Sequence, residues 1–275
     1  MLKGQSQFKL ELIKNAEGFF MKKSSKNGLY APRLLAQCKK QIEFRNAILN
    51  DCKMKSLFEI PEVLEQGFNY FLMPFYRGKS VLDIFEKGDI SFLNEMVNKI
   101  FLFIDWEFKK CIYTKDVKRD ILEKLNSLMK KIYDMRILNI IESLIKIVDN
   151  SKLIIVPVGV CHGDFTLSNF IFSNKIILID FLDSFVESPI QDIAKLLQEL
   201  KLRWTLKMSQ TKRDVTKIKI SYEHLSHLIE QKIDCEFYKY LAIINLFYKI
   251  TLLRIVPYLS ENSPHVEEII KKLEE

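Results

Sequence analysis

The hydrophobic period of this chain changes at Ser80, after a connector near Tyr76-Arg77-Gly78, and that change constrains the fold more than any other feature. Before it, strand-like alternation surrounds a single helical stretch. "FKLELI" (8–13) alternates, "KNAEG" (14–18) turns, and "FFMKKS" (19–24) resumes, which predicts a β-hairpin. "LYAPRLLAQCKKQIEFRNAIL" (29–49) has helical spacing with Pro32 near its start. "FEIPEVLEQG" and "FNYFLMPFYRG" read as two strands around a turn at Gly67. A small sheet with one helix is expected over this part of the chain.

From Ser80 the spacing is helical. Segments 80–88, 91–111, 117–135 and 136–150 are each amphipathic. A second hairpin, "FIF-SNK-IILID", interrupts them. "SPIQDIAKLLQELKLRW" (188–204) then predicts a helix with Ser188 as N-cap and Pro189 in its first turn. The remainder reads as helix. Only 8 Gly and 7 Pro punctuate 275 residues, which favours a helix-rich α+β protein over an all-β one. With 48% apolar residues the chain has enough to bury a core, so global disorder is excluded.

The chemistry concentrates at "CHGDFTLSNF" (161–170), which by itself could be a polar turn between strands. Asp164 puts a carboxylate on a loop, suited to accept or orient the proton of a hydroxyl. Asn169 supplies a neutral amide oxygen and Asp180, at the end of "IILID", an anionic one. The intervening hairpin folds both to one end of two paired strands, where they could reach one hard cation. His162 suits bracing the loop better than chemistry. A base, two oxygen ligands and a lysine are the parts that phosphoryl transfer needs.

"HGDFTLSN" followed by "ILIDF" resembles the aminoglycoside phosphotransferase / choline kinase family, the small-molecule branch of the protein-kinase-like fold. The resemblance implies a bilobal α+β architecture. Residues 1–76 would form a β-rich N-lobe and residues 77–275 a mostly helical C-lobe. It implies an ATP- and Mg2+-dependent kinase in which Asp164 matches the catalytic base and Asn169 and Asp180 the magnesium ligands. Asp192, opening the helix after the hairpin, matches an aspartate that stabilises the catalytic loop.

The same resemblance asks for a phosphate-binding lysine in "FFMKKSS". Family members often read aromatic–apolar–Lys before a small or polar pair, which favours Lys22; strand alternation alone cannot choose between Lys22 and Lys23. Glu43 is the expected partner of that lysine. Ser6, beside Gly4, falls where the family's nucleotide loop would lie, although no glycine-rich triplet is present. In "FLMPFYRG", Met73 would back the adenine pocket, and backbone groups of Phe75 and Tyr76 would read the adenine edge.

The acceptor is less legible. Segment 201–220 carries Lys201, Arg203, Lys207, Lys212, Arg213, Lys217 and Lys219 against Asp214 alone. That favours a neutral or anionic small molecule over a cationic antibiotic, unless the segment is only a solvated helix face. "LIDFLDSFVESPIQDIAKL" is similar to bacterial family members associated with surface polysaccharides, which implies a saccharide hydroxyl. A choline- or ethanolamine-type acceptor would use Asp183, Phe185 and Glu187 around its cation. A non-catalytic kinase-like scaffold is the remaining reading. The net charge of +7 is mixed and no stacking-aromatic pattern accompanies it, so no nucleic-acid partner is expected. The N-terminus lacks the apolar run of a signal peptide, and charged residues interrupt 240–259, so no membrane span is expected. Five widely spaced cysteines fit reduced thiols and a cytoplasmic location.

Overall fold

The computed structural model describes residues 8–16, 18–25, 30–209, 213–259 and 263–275. Among them the strands are β1 (Phe8–Asn15), β2 (Gly18–Ser25), β3 (Phe58–Glu59), β4 (Glu65–Gln66), β5 (Tyr70–Pro74), β6 (Tyr113–Asp116), β7 (Ile155–Val158), β8 (Phe170–Phe172) and β9 (Ile176–Leu178). The helices are α1 (Ala31–Leu49), α2 (Cys52–Leu57), α3 (Val81–Lys87), α4 (Ile90–Lys109), α5 (Lys118–Met129), α6 (Met135–Asn150), α7 (Pro189–Leu202), α8 (Trp204–Met208), α9 (Val215–Glu236), α10 (Leu241–Leu253) and α11 (Pro264–Glu274). The chain is α+β and forms two compact units. One runs through Ile84 and takes in Leu167–Asp183; the other comprises Phe85–Thr166 and Ser184–Glu275.

The first unit is built on an antiparallel sheet of order β1-β2-β5-β4. Helix α1 lays Leu34, Gln37, Cys38, Gln41, Phe44 and Ile48 on its buried side, the spacing of one helical face. Leu34 and Cys38 meet Phe8, Phe71 and Met73 of the sheet in one apolar cluster. Each fully buried Leu or Phe there contributes about 2–3 kcal/mol.

Residues 167–183 cluster with this unit, whereas a single boundary at 76/77 would have put them with the later helices. The reason is strand pairing. Two-residue β3 pairs in parallel with β9, and β8 pairs with β9 in antiparallel register. Lys79 also exchanges two backbone hydrogen bonds with Phe172, each 2.9 Å. Gly78 allows that approach, since a Cβ there would lie 2.7 Å from the Phe172 carbonyl oxygen.

The second unit is mostly helical. Helix α7 is buried along nearly its whole length and starts as the sequence predicts, with Ser188 accepting from the Ile190 N–H and Pro189 in the first turn. Strands β6 and β7 form an antiparallel pair; β6 is exposed throughout and too polar to be read as a strand from its sequence. Residues Tyr238–Tyr258 are long and apolar enough to cross a membrane by composition. Within this unit, α10 is a core helix that buries Ile244, Phe247, Ile250, Leu252 and Leu253, and Phe247 packs on Phe185 at 5.2 Å.

Candidate active site

The loop after β7 is organised by one buried carboxylate. Asp192, in the first turn of α7, accepts hydrogen bonds from the backbone N–H groups of His162 and Gly163, the latter at 2.7 Å. Two adjacent N–H groups can point at one acceptor only if the backbone bends sharply. Gly163 supplies that bend at φ +86, a left-handed conformation that side-chain-bearing residues rarely adopt. His162 is fully buried; its Nδ1 accepts from the Asp164 N–H at 3.2 Å, and its ring meets Phe165 edge-on. Phe165 stacks on Phe103 with centroids 5.0 Å apart. Cys161 is buried and its thiol contacts Glu187 at 3.1 Å.

This bracing leaves Asp164 a fixed position, and its carboxylate meets Lys195 of α7 at 3.0 Å. Burial by itself would push the Asp164 carboxyl up. Lys195, His162 and Arg254 together outweigh burial, so Asp164 is held below the usual carboxylate range. Further along α7, buried Glu199 accepts from Tyr222 at 2.7 Å and from the N–H and hydroxyl of Thr205. Burial nevertheless pushes its carboxyl up.

The two oxygen-bearing residues expected to meet a cation, Asn169 and Asp180, flank the β8–β9 hairpin in the first unit. Asn169 ends a 3-10 turn (Leu167–Asn169) and its carbonyl accepts from the Ile179 N–H at 3.1 Å. Asp180 follows β9 at φ +64, a strained conformation that aspartate tolerates better than most residues. Its Oδ1 lies 2.5 Å from the Lys23 ammonium. Lys23 is buried, between the rings of Phe8 and Phe71 at 5.1 and 6.0 Å, and also donates to Gln37 Oε1 at 2.8 Å.

It is Lys23, and not the expected Lys22, whose ammonium meets Asp180. The two point to opposite faces of β2, and Lys22 lies over the exposed-face ring of Tyr70 at 4.2 Å. Glu43 is likewise displaced: it is exposed and pairs with Lys39 at 3.7 Å, while Gln37 occupies the lysine's side of α1. Met73 is a core residue that touches Gln41 through its sulfur. The Phe75 N–H is spent on the Phe19 carbonyl at 2.9 Å, so it cannot also read a base edge. Tyr76 donates its hydroxyl to Glu59 at 2.7 Å, and burial with that bond pushes its phenol up. Ser6 lies outside the described residues.

Four basic residues of the 201–220 segment are paired with acids of the same unit. Lys201 pairs with Glu230, Arg203 with Glu223, Lys207 with Glu268 and Arg213 with Glu86. Lys217 and Lys219 are exposed, and Lys212 lies outside the described residues.

Among the described residues no cluster of three or more His, Cys, Asp or Glu side chains could hold a metal. Magnesium needs fewer, since it keeps water and substrate phosphate oxygens. One carboxylate and one amide on the same short hairpin fit that requirement, and Asn169 and Asp180 would hold the ion.

The model of the phosphotransferase enzyme family, APH, matches residues 114–213. That segment contains Asp164, Asn169, Asp180, Asp192 and Lys195 and stops short of Lys23. No curated protein matches the chain. Among solved structures, the amicoumacin kinase hAmiN in complex with AMP-PNP, Ca2+ and Ami is similar at TM-score 0.56 and 12% identity, covering 98% of this chain and 85% of that one. A glucosamine kinase is similar at 0.54 and 11%, covering 98% and 79%. The streptomycin–ATP–APH(2'')-IIa ternary complex is similar at 0.52 and 15%, covering 97% and 91%. At these identities the likeness is one of fold. It is the protein-kinase-like fold, and with the family match it agrees with the resemblance read from "HGDFTLSN" and "ILIDF".

Proposed function

We propose that this chain, which matches the phosphotransferase enzyme family and has the fold of small-molecule kinases, transfers the γ-phosphoryl group of ATP to a hydroxyl of a saccharide or sugar-containing acceptor. The observation that carries the reading is the Lys23–Asp180 pair, which joins a buried lysine to an aspartate 157 residues away. A lysine for the phosphates and an aspartate for the cation are both needed at a nucleotide's phosphate end. Two of the similar structures hold ATP, or AMP-PNP with Ca2+, which supports a nucleotide and a divalent cation here.

In this reading Asp164 is the base. It orients the acceptor hydroxyl and takes its proton, and its charge is maintained by Lys195. Asp192 and His162 hold the loop. Asn169 and Asp180 would hold Mg2+, which would supply charge neutralisation at the phosphates, and Lys23, its ammonium kept in place by Gln37, would donate to a phosphate oxygen. Cleavage then depends on positioning and charge stabilisation more than on strong basicity.

A choline- or ethanolamine-type acceptor has less support. Glu187, one of the acids meant to surround its cation, accepts from the Ser184 N–H and the Cys161 thiol, and Asp183 pairs with Arg33. A non-catalytic scaffold has no specific support either, since Asp164, Asn169 and Asp180 are all present. A cytoplasmic location belongs to the same proposal; it accords with five free cysteines.

Calorimetric titration with ATP, with and without Mg2+, tests the reading together with slow ATP hydrolysis. The wild type is expected to bind ATP in a Mg2+-dependent way, and Asp180→Asn to lose that dependence. The asparagine tolerates the left-handed backbone, so the variant isolates the charge. Neither binding nor hydrolysis in the wild type sinks the kinase reading.

A further inference from the structure

The acceptor's chemistry can be narrowed from what surrounds Asp164. Lys195 Nζ touches two described partners, the Asp164 carboxylate at 3.0 Å and Gln198 Oε1 at 3.2 Å. An ammonium has three N–H donors, so one remains for an oxygen placed beside the Asp164 carboxylate. The Lys195 side chain is only 13% exposed, so water does little to screen its charge. A second cation, Arg254, acts on both members of the pair, attracting Asp164 and repelling Lys195. Asp192, which accepts from two backbone N–H groups, and Glu199 place further carboxylates along α7. What the geometry singles out is the Lys195 ammonium itself, the cation in direct contact with the base.

We infer that Lys195 is a specificity-determining residue: it accepts substrates that carry an oxygen next to the reacting hydroxyl and rejects those that carry an ammonium there. The inference rests on Asp164 being the base. A hydroxyl held at Asp164 puts its neighbouring substituent within a few ångströms of the Lys195 ammonium. A hydroxyl, carboxylate or phosphate oxygen there takes the spare N–H. An ammonium two carbons away, as in ethanolamine or a 2-amino sugar, meets a like charge in a poorly screened place, which is strongly unfavourable. Lys195 thus supplies, at the reacting group itself, a preference for neutral or anionic acceptors.

The test compares kcat/KM for matched acceptors, glucose against glucosamine and glycerol against ethanolamine, in the wild type, Lys195→Gln and Lys195→Arg. The wild type is expected to favour the oxygen member of each pair by about tenfold or more. Lys195→Gln, which keeps a donor and loses the charge, should bring the ratio near one; Lys195→Arg should keep it. Equal use of the amino acceptors by the wild type, or an unchanged ratio in Lys195→Gln, overturns the inference. A second measurement needs no turnover: 13C titration of the Asp164 side-chain carboxyl, assigned through Asp164→Asn. Lys195→Gln should raise its midpoint by about one unit or more. An unmoved midpoint means the ammonium does not govern the carboxylate, and the inference fails even if no acceptor in the panel is phosphorylated. Loss of the kinase reading itself looks different, with no ATP binding or hydrolysis and an intact titration shift.

Discussion

Two lysine–aspartate pairs, one in each compact unit, are built from opposite materials. Lys23 comes from a strand and lies between two aromatic rings; Lys195 comes from a helix. In both, the lysine is the more buried partner, 7% against 39% for Lys23–Asp180 and 13% against 20% for Lys195–Asp164. The fold fixes the cation and leaves the carboxylate partly open, so each pair presents an oxygen that a ligand can reach. They differ in what else holds the lysine. Lys23 also has neutral Gln37, so Asp180 can be given up to a cation while the ammonium stays bonded. Asp164 has Lys195, His162 and Arg254 all favouring its charge, so that pair is suited to permanence. A separable pair fits a ligand-exchanging site, and a permanent one fits a group that must stay ionised.

The sharpest break between the two comes from Asp164→Asn. Losing a positioned base typically costs about 10²–10⁴-fold. Phosphoryl transfer is expected to fall by about 10³-fold while the Kd for Mg-ATP changes by less than about threefold, because the proposal assigns the nucleotide to the other pair. Near-normal turnover removes Asp164 from the role of base.

Next in size is the contrast within β2. Lys23→Met should lower kcat/KM for ATP by about 10²-fold, the scale of losing one preorganised charge donor. Lys22→Met, which removes an ammonium lying over Tyr70, should stay within about twofold. Equal losses in steady-state assays would return the phosphate role to Lys22.

The permanence of the Lys195–Asp164 pair has a pH signature. Asp164 is depressed, so the native state binds its proton less readily than the unfolded chain. Its contribution to stability is then fully present above the unfolded carboxylate value, about 3.9, and is lost as pH falls through the lower native one. Urea melts of the wild type and Asp164→Asn should differ by a constant amount from neutral pH to about pH 5 and converge only in stronger acid. Convergence near neutrality would mean that the pair is not ionic.

How much of this could be read beforehand depends on the range of the contact. The second hairpin and the Ser188–Pro189 helix start are local, and each stands where its residues put it. Strand β3 is two residues long and exists because β9, more than a hundred residues later, pairs with it. The segment from Phe58 reads as a strand, but nothing local names β9 as its partner, and the hairpin's membership of the first unit follows from that pairing. Lys22 and Lys23 differ only in which face of β2 is covered, and α1 together with Phe8 and Phe71 decides that. Lys195 shares a helix face with Asp192 by i, i+3 spacing, but its bond to Asp164 spans 31 positions of chain. The one missed signal was in α1. Gln37 and Gln41 interrupt the apolar row of Leu34, Cys38, Phe44 and Ile48, and a polar residue in such a row needs a buried partner.

Glu43 provides the smallest expected effect and the cleanest control on that last point. It stands six residues beyond Gln37, about 240° around the helix, so both cannot face the same lysine. Its partner Lys39 is 78% exposed and Glu43 itself 65%, and ion pairs in such surroundings contribute little. Glu43→Gln should leave ATP affinity unchanged and stability within about 0.5 kcal/mol in chemical denaturation. Gln37→Ala removes a bond to a buried ammonium and should cost about 1–3 kcal/mol by the same measurement. The order matters more than either size: if Glu43→Gln proves the costlier change, Gln37 is not the group that holds Lys23, and the separable pair loses the contact that lets it open.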